Sequence, residues 1–162
     1  MNGYDDFLKT FPTLKAEKSY DISARTTFRV GGRCDIAVFP DTKEQLADVT
    51  EYLKGRHPYC VLGGGSNVLV SDKGFRGVCI FTCFMKKMTL KGNILEAECG
   101  VKIADAINLA VANNLSGLEF ATGIPGTVGG IVAGNGGCFN KSVSDAVCFV
   151  RAEDGVYNNK SC

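Results

Sequence analysis

Hydrophobic positions recur along this chain at two spacings, and the changes between them mark out predicted helices and strands. Phe7, Leu8 and Phe11 share one face of a short helix over 4–11. Thr26–Val30 and Asp35–Phe39 are β-branched and aromatic, and read as two strand segments broken by Gly31-Gly32. Pro40, Asp41 and Thr42 punctuate before a helix over 43–54, in which Leu46, Val49, Tyr52 and Leu53 have helical spacing. Tyr59–Leu62 follows as a buried strand, which completes a predicted β-α-β unit. Asn67–Val70 reads as a strand or tight turn, and Phe75–Phe81 as a further strand.

From Lys86 the spacing changes. Lys86–Lys91 and Ile94–Cys99 alternate around Gly92-Asn93, the pattern of a hairpin. Ile103, Ala106, Ile107, Ala110 and Val111 form one stripe of a helix over 102–113, ended by Asn113-Asn114. Ser116–Asp145 is glycine-punctuated and has little period of its own. Ala146–Ala152 reads as a final strand leading into an acidic turn, Glu153-Asp154-Gly155, with no pairing strand after it; on that ground the sequence reads as cut. The change of pattern near Met85 predicts two subdomains, 1–84 and 85–162.

Composition removes several function classes. The 162 residues carry a formal net charge of +1 with 22% charged side chains, so the footprint of a nucleic-acid binder is missing. The start, Met1-Asn2-Gly3-Tyr4-Asp5-Asp6, is acidic and unlike a secretory leader. No apolar run approaches the roughly 18 residues of a membrane span. These features predict a cytoplasmic protein with neither nucleic-acid nor membrane partners. The eight cysteines are scattered through apolar runs without a C-x-x-C pair, and His57, the sole histidine, precedes Pro58. They read as free thiols rather than disulfides or metal ligands. Glu96, Glu98, Glu119 and Asp145 are isolated acids suited to solvated or capping roles.

Glycine carries the chemical signal. Gly63-Gly64-Gly65 lies between two apolar runs and ends in Ser66-Asn67. Successive glycines are costly to order, and serve where a ligand or another backbone comes close. The loop lacks the G-x-G-x-x-G spacing of a dinucleotide fingerprint and the Gly-Lys-Ser/Thr of a Walker loop. A tight structural loop and a backbone nest for an anion both remain open for it. In Thr122-Gly123-Ile124-Pro125-Gly126-Thr127-Val128-Gly129-Gly130, Pro125-Gly126 sets a turn and Thr127 is placed to cap a following helix, whose exposed N–H groups are a second candidate anion edge. Asn135-Gly136-Gly137 and Gly31-Gly32 are two further clusters. Four such elements in so short a chain point to an extended, phosphate-bearing ligand.

The order and spacing of Thr26-Thr27-Phe28-Arg29-Val30-Gly31-Gly32, Leu62–Asp72, Gly74–Val78 and Leu115–Gly130 closely resemble the UDP-N-acetylenolpyruvoylglucosamine reductase (UDP-N-acetylmuramate dehydrogenase) family of peptidoglycan synthesis, over roughly residues 20–155. The resemblance implies an α+β, FAD-binding fold of the vanillyl-alcohol-oxidase/PCMH type, with the flavin between two small subdomains. It implies that Leu62, Gly63, Gly64, Gly65, Ser66 and Asn67, with Thr122, Gly123, Ile124, Pro125, Gly126, Thr127, Gly129 and Gly130, and with Asn135 and Gly136, hold FAD. It also implies NADPH as electron donor and a UDP-sugar substrate. In the family the flavin passes hydride to the enolpyruvyl double bond, a serine protonates the resulting carbon, and an arginine and a glutamate support the intermediate. Those three positions are expected beyond Cys162, which leaves no catalytic residue in the chain. Arg33-Cys34 departs from the family's Pro-Ala. Gly134 and Gly136 stand where the family has Met and Ala, which predicts a looser loop around Asn135. A non-catalytic flavin-binding module, or another oxidoreductase on the same fold, are the alternatives.

Overall fold

The computed structural model describes residues 3–152 and 155–158, which fall into two compact units divided between Met85 and Lys86. The first unit opens with helix α1 (Asp5–Thr10), whose acidic first turn and terminal Lys9 complement the helix dipole. Strand β1 (Ala16–Asp21) runs into a 3-10 turn, Ile22–Arg25, where the Asp21 carboxylate accepts from the Ser23 amide at 3.0 Å. Then come β2 (Arg33–Val38), α2 (Lys43–Leu53), β3 (Tyr59–Leu62) and β4 (Phe75–Phe81). Thr42 caps α2, its hydroxyl accepting from the Gln45 amide at 3.1 Å.

These strands form one sheet in the order β1-β2-β4-β3, with β1 antiparallel to β2 and the other neighbours parallel. Side chains alternate between its faces, as strand geometry requires, except that a register shift between Cys34 and Ile36 of β2 breaks the alternation there. Ile36, Val38, Val78 and Ile80 point to one face, covered by Phe7 of α1 and Val49 and Leu53 of α2. Cys34, Ala37, Phe39, Cys79 and Phe81 point to the other, covered by Ile22 and its flanking loops. Each fully buried branched or aromatic side chain here stabilises by about 1.5–3 kcal/mol.

Two expectations change. Thr26–Val30 is not a strand: Arg29 has a left-handed backbone (φ 54°), and Thr26 turns its hydroxyl back on the Val30 carbonyl at 3.0 Å. The antiparallel partner of β2 is instead the polar β1. Asn67–Val70 is irregular, and Val70 packs under Gly31. The predicted β-α-β unit is present as β2, α2 and β3, with β4 inserted between its two strands.

In the second unit, β5 (Met88–Lys91) and β6 (Ile94–Ala97) form the predicted hairpin, with Gly92 left-handed at the turn (φ 59°). Helix α3 (Ile103–Ala112) buries Ile103, Ala106 and Ala110. Val111, placed on the buried stripe by its spacing, is 65% exposed: it lies past the edge of the packed face. A 3-10 turn, Glu119–Ala121, buries Phe120 against this core. Helix α4 (Val128–Ala133) follows, then β7 (Gly137–Cys138) and β8 (Lys141–Ser142), joined by Phe139-Asn140 in left-handed conformations (φ 55° and 58°) that match a type I′ turn. After a 3-10 turn, Val143–Asp145, comes β9 (Phe149–Ala152). It pairs antiparallel with β10 (Gly155–Asn158), so the strand thought to lack a partner has one. Glu153 and Asp154 of the predicted acidic turn, and residues 159–162, lie outside the described residues.

Candidate functional site

β2, β4 and β3 are parallel, and ligands of open parallel sheets bind outside the carboxyl ends of the strands. The triple-glycine loop leaves the carboxyl end of β3. Leu62 is buried, and its carbonyl accepts from the Thr82 amide at 3.1 Å. Gly65 is left-handed (φ 66°) and is packed on backbone: a Cβ there would stand 1.9 Å from the Arg25 carbonyl oxygen. Its own carbonyl accepts from the Thr27 amide at 2.9 Å. Gly65 therefore holds the loop against residues 25–27. Gly64 and Asn67 are exposed, Gly63 half-buried, and among the described residues the amides of these three donate to no backbone carbonyl. Ser66 is half-buried between them.

The neighbourhood is cationic and aromatic. The Arg25 guanidinium lies 5.5 Å from the centroid of Phe39, and its Nε donates to the Tyr20 hydroxyl at 2.9 Å, a bond that pushes the Arg25 pKa further up. The Lys15 ammonium lies 5.3 Å from Phe39 and 5.2 Å from Phe84. Phe39 and Phe81 stack at 5.3 Å. None of this group carried a functional assignment from the sequence. The available signal was the Thr-Thr-Phe-Arg motif, obscured because its β-branched residues read as a strand. A concavity of about 470 Å³ lies at the other end of the sheet, between Gly32, Arg33, Asp72, Lys73 and Arg76. Its charges are mixed, and the Gly31-Gly32 pair beside it is a backbone crossing, since a Cβ on Gly32 would meet the Asp72 carbonyl oxygen at 2.2 Å. The glycine loop suits an anion better, because a nest holds charge by the direction of its amides rather than by enclosure.

In the second unit the long glycine stretch divides in the same way. Thr127 caps α4, its hydroxyl accepting from the Gly130 amide at 3.3 Å. The amides of Val128 and Gly129 donate to the carbonyls of Val101 and Cys99, at 2.8 and 2.9 Å. The first turn of α4 thus has its donors committed inside the unit, which corrects the expectation of exposed N–H groups at this helix end. Gly129 is glycine for packing, as a Cβ would sit 2.5 Å from that of Cys99. Thr127→Ala is expected to cost about 1 kcal/mol, read as a lowered urea midpoint, with Thr127→Ser restoring most of it.

Ahead of the cap, Thr122 donates to the Glu119 carbonyl and Ile124 to the Ala121 carbonyl, each at 3.0 Å. Gly123 (φ 84°) and Gly126 (φ 131°) bracket exposed Pro125. A Cβ on Gly123 would meet nothing within 4 Å, so open space lies before it. Asn135 and Gly136 are hydrogen-bonded within the unit: Ser144 donates its amide to the Asn135 Oδ1 at 3.1 Å, and Gly136 donates to the Ile131 carbonyl at 2.7 Å. An alanine at 136 would press its Cβ to 2.6 Å from the Ile131 Cγ1. Of the isolated acids, for which solvated or capping roles are expected, three accept from backbone amides and one forms an ion pair. Glu119 accepts from the Gly117 amide, Glu98 from the Lys87 amide and Asp145 from the Ser142 amide, while Glu96 pairs with Arg151. Bonds from its own amide and that of Gly117 lower the Glu119 pKa. Among the described residues no group of three or more His, Cys, Asp or Glu is placed to hold a metal ion, and no helix is long and apolar enough to cross a membrane.

Residues 34–155 match the family described as FAD binding domain. The chain is 38% identical over 152 residues to a UDP-N-acetylenolpyruvoylglucosamine reductase of Clostridium tetani, covering 91% of this chain and 50% of the relative. It is 42% identical over 137 residues to the enzyme of that name from Caldicellulosiruptor bescii, covering 84% and 43%. The crystal structure of the Thermus caldophilus UDP-N-acetylenolpyruvylglucosamine reductase superposes with a TM-score of 0.72 at 29% identity, over 91% of this chain and 53% of that one. An alkyldihydroxyacetonephosphate synthase shares the fold at 18% identity, with a TM-score of 0.61 over 82% and 27%. The chain thus spans about half the length of the curated relatives it matches.

Proposed function

The chain belongs to the FAD-binding domain family, and from that premise we propose that it is the cofactor-holding part of an NADPH-dependent reductase. The substrate we assign to the whole enzyme is UDP-N-acetylglucosamine enolpyruvate, reduced to UDP-N-acetylmuramate for peptidoglycan synthesis. The relatives' printed name and the Thermus caldophilus structure support this assignment. One observation carries the cofactor reading: among the described residues the Gly63, Gly64 and Asn67 amides donate to no backbone carbonyl, at the carboxyl end of a parallel strand.

These donors fit a diphosphate. Gly65, locked on Arg25, fixes the loop before any ligand arrives, so little ordering entropy remains to be lost on binding. Arg25 and Lys15 put two cations at the same end of the sheet, where they favour an anionic ligand. In the second unit, Gly123, Gly126 and Thr127 are residues of the Thr122–Gly130 stretch whose amides, among the described residues, donate to no backbone carbonyl. FAD, when bound, supplies two-electron transfer between NADPH and substrate. The residues of this chain bind and orient it. They include no assigned proton donor for the substrate carbon, and we infer that the 162 residues hold flavin without turnover.

Purified protein incubated with FAD and desalted should retain flavin absorbance, and FMN, which lacks the diphosphate-linked adenylate, should be retained more weakly. Protein that stays colourless after FAD would overturn the cofactor reading. Absence of enolpyruvyl-sugar reduction by the full-length protein would overturn the substrate assignment alone.

A further inference from the structure

Three of the cysteines meet on one face of the first unit's sheet. Cys60 on β3 and Cys79 on β4 are direct partners in the parallel ladder, and their sulfurs lie 3.4 Å apart. Cys34 on β2 is near enough to Cys79 for that thiol to lower the Cys34 pKa, but the ladder partner of Cys79 on that side is Ala37, so Cys34 is out of register. Cys34 and Cys79 are buried, at 1% and 0% exposure, whereas Cys60 on the edge strand is half-buried. The three side chains therefore differ in what reaches them. An oxidant from solvent meets Cys60 first, and the nearest in-register sulfur behind it is Cys79.

Backbone spacing allows a bond between them. Neighbouring strands lie about 4.7–4.9 Å apart, inside the roughly 4.4–6.8 Å over which Cα atoms accept a disulfide. Closing the sulfurs from 3.4 Å to about 2.05 Å needs side-chain rotation rather than strand movement. We propose that Cys60 and Cys79 form a dithiol that a hydroperoxide converts into a cross-strand disulfide.

The Cys60 thiolate attacks the hydroperoxide, the O–O bond breaks, and an alcohol (water, from hydrogen peroxide) leaves with the remaining proton. The product is a sulfenic acid on Cys60. The Cys79 sulfur then attacks the Cys60 sulfur, the S–O bond breaks, and water leaves with the Cys79 proton. Two thiols are oxidised by two electrons, and one hydroperoxide is reduced to alcohol and water. A soluble dithiol reverses the step by exchange. The hydrogen bond from Cys79 lowers the Cys60 pKa, which favours Cys60 as the attacking group. Contacts with Cys34 and Cys60 raise the Cys79 pKa, in keeping with a thiol that donates. The link would tie the edge strand to its single neighbour three residues before Gly63.

The test uses the protein with Cys138→Ser, Cys148→Ser and Cys162→Ser, so that thiols outside the first unit other than Cys99 are removed. Reduced protein is treated with hydrogen peroxide, alkylated and digested without reductant. The expected result is two fewer free thiols per chain, a Cys60–Cys79 linked peptide pair, and recovery of both thiols with a soluble dithiol. Cys34→Ala should keep the link and Cys60→Ser should abolish it. A Cys34–Cys79 link, a Cys60 sulfinic acid without any link, or two thiols that survive peroxide would each overturn the proposal. Because the unsubstituted pair is read directly, the result does not depend on how well any variant at positions 34 or 60 folds.

Discussion

Replacing Gly65 by alanine is expected to destabilise the first unit by about 3 kcal/mol or more, enough to leave much of it unfolded. Two costs combine. A left-handed backbone disfavours any L side chain by roughly 1–2 kcal/mol, and Gly65 sits at φ 66°. The added Cβ would also stand 1.9 Å from the Arg25 carbonyl oxygen, a contact no rotamer relieves because it involves backbone on one side and Cβ on the other. Backing away would break the hydrogen bond from Thr27 to the Gly65 carbonyl. Urea unfolding followed by circular dichroism measures the effect. A midpoint within experimental error of the parent would show that the loop does not rest on residues 25–27.

The neighbouring glycine is expected to respond in the opposite way. Gly64→Val should weaken FAD binding roughly a hundredfold, about 2.8 kcal/mol, while unfolding changes by less than about 1 kcal/mol. Gly64 is exposed where Gly65 is buried, so an isopropyl group there adds bulk at an exposed point of the loop. It would occupy the space a phosphate needs to approach the amides. Equilibrium titration of flavin absorbance against both proteins, beside their urea midpoints, separates the two effects. Equal affinity for FAD would remove the loop from the cofactor site, and the carboxyl-end reading of the sheet with it. A collapse of stability instead would place Gly64, like Gly65, in the scaffold.

That contrast marks what was legible in the sequence. A glycine cluster announces that backbone comes close to something, without saying to what. Gly32, Gly65, Gly129 and Gly136 prove to face the protein's own atoms, and Gly123 faces open space. The distinction depends on residues far away in sequence, so local pattern does not contain it. Helices α2 and α3 were readable because each buries one stripe, and β4 because its run from Val78 to Phe81 is buried on both faces. Strand β1 was missed because Ala16-Glu17-Lys18-Ser19-Tyr20-Asp21 is an edge strand that buries little, so no apolar alternation records it. Helix α4 was readable only as a turn after the Thr127 cap, and its extent was not. Val128-Gly129-Gly130 is a poor helix former by composition, and the Thr127 cap with the close approach to Cys99 holds it. Thr26–Val30 has strand-like residues, but its hydrogen bonds are satisfied locally and by the Gly65 loop. The family motifs covered Thr26–Val30 and the main glycine loops, which is why the cofactor class was readable while the local geometry of those segments was not.

The insertion of β4 between β2 and β3 has a kinetic side. A chain emerging from its amino terminus presents β1, β2, α2 and β3 before it presents residues 75–81. The antiparallel pair β1–β2 is complete at residue 38, whereas β3 has no strand to join until β4 arrives and fills the gap. Docking β4 closes two parallel ladders at once, each across a loop whose closure entropy must be met before the contacts form. The helical face can assemble early, on α1, α2 and β2. The loop that begins at Gly63 is drawn into place only with that last strand, and the carboxyl edge of the sheet is among the latest parts of the unit to take its shape.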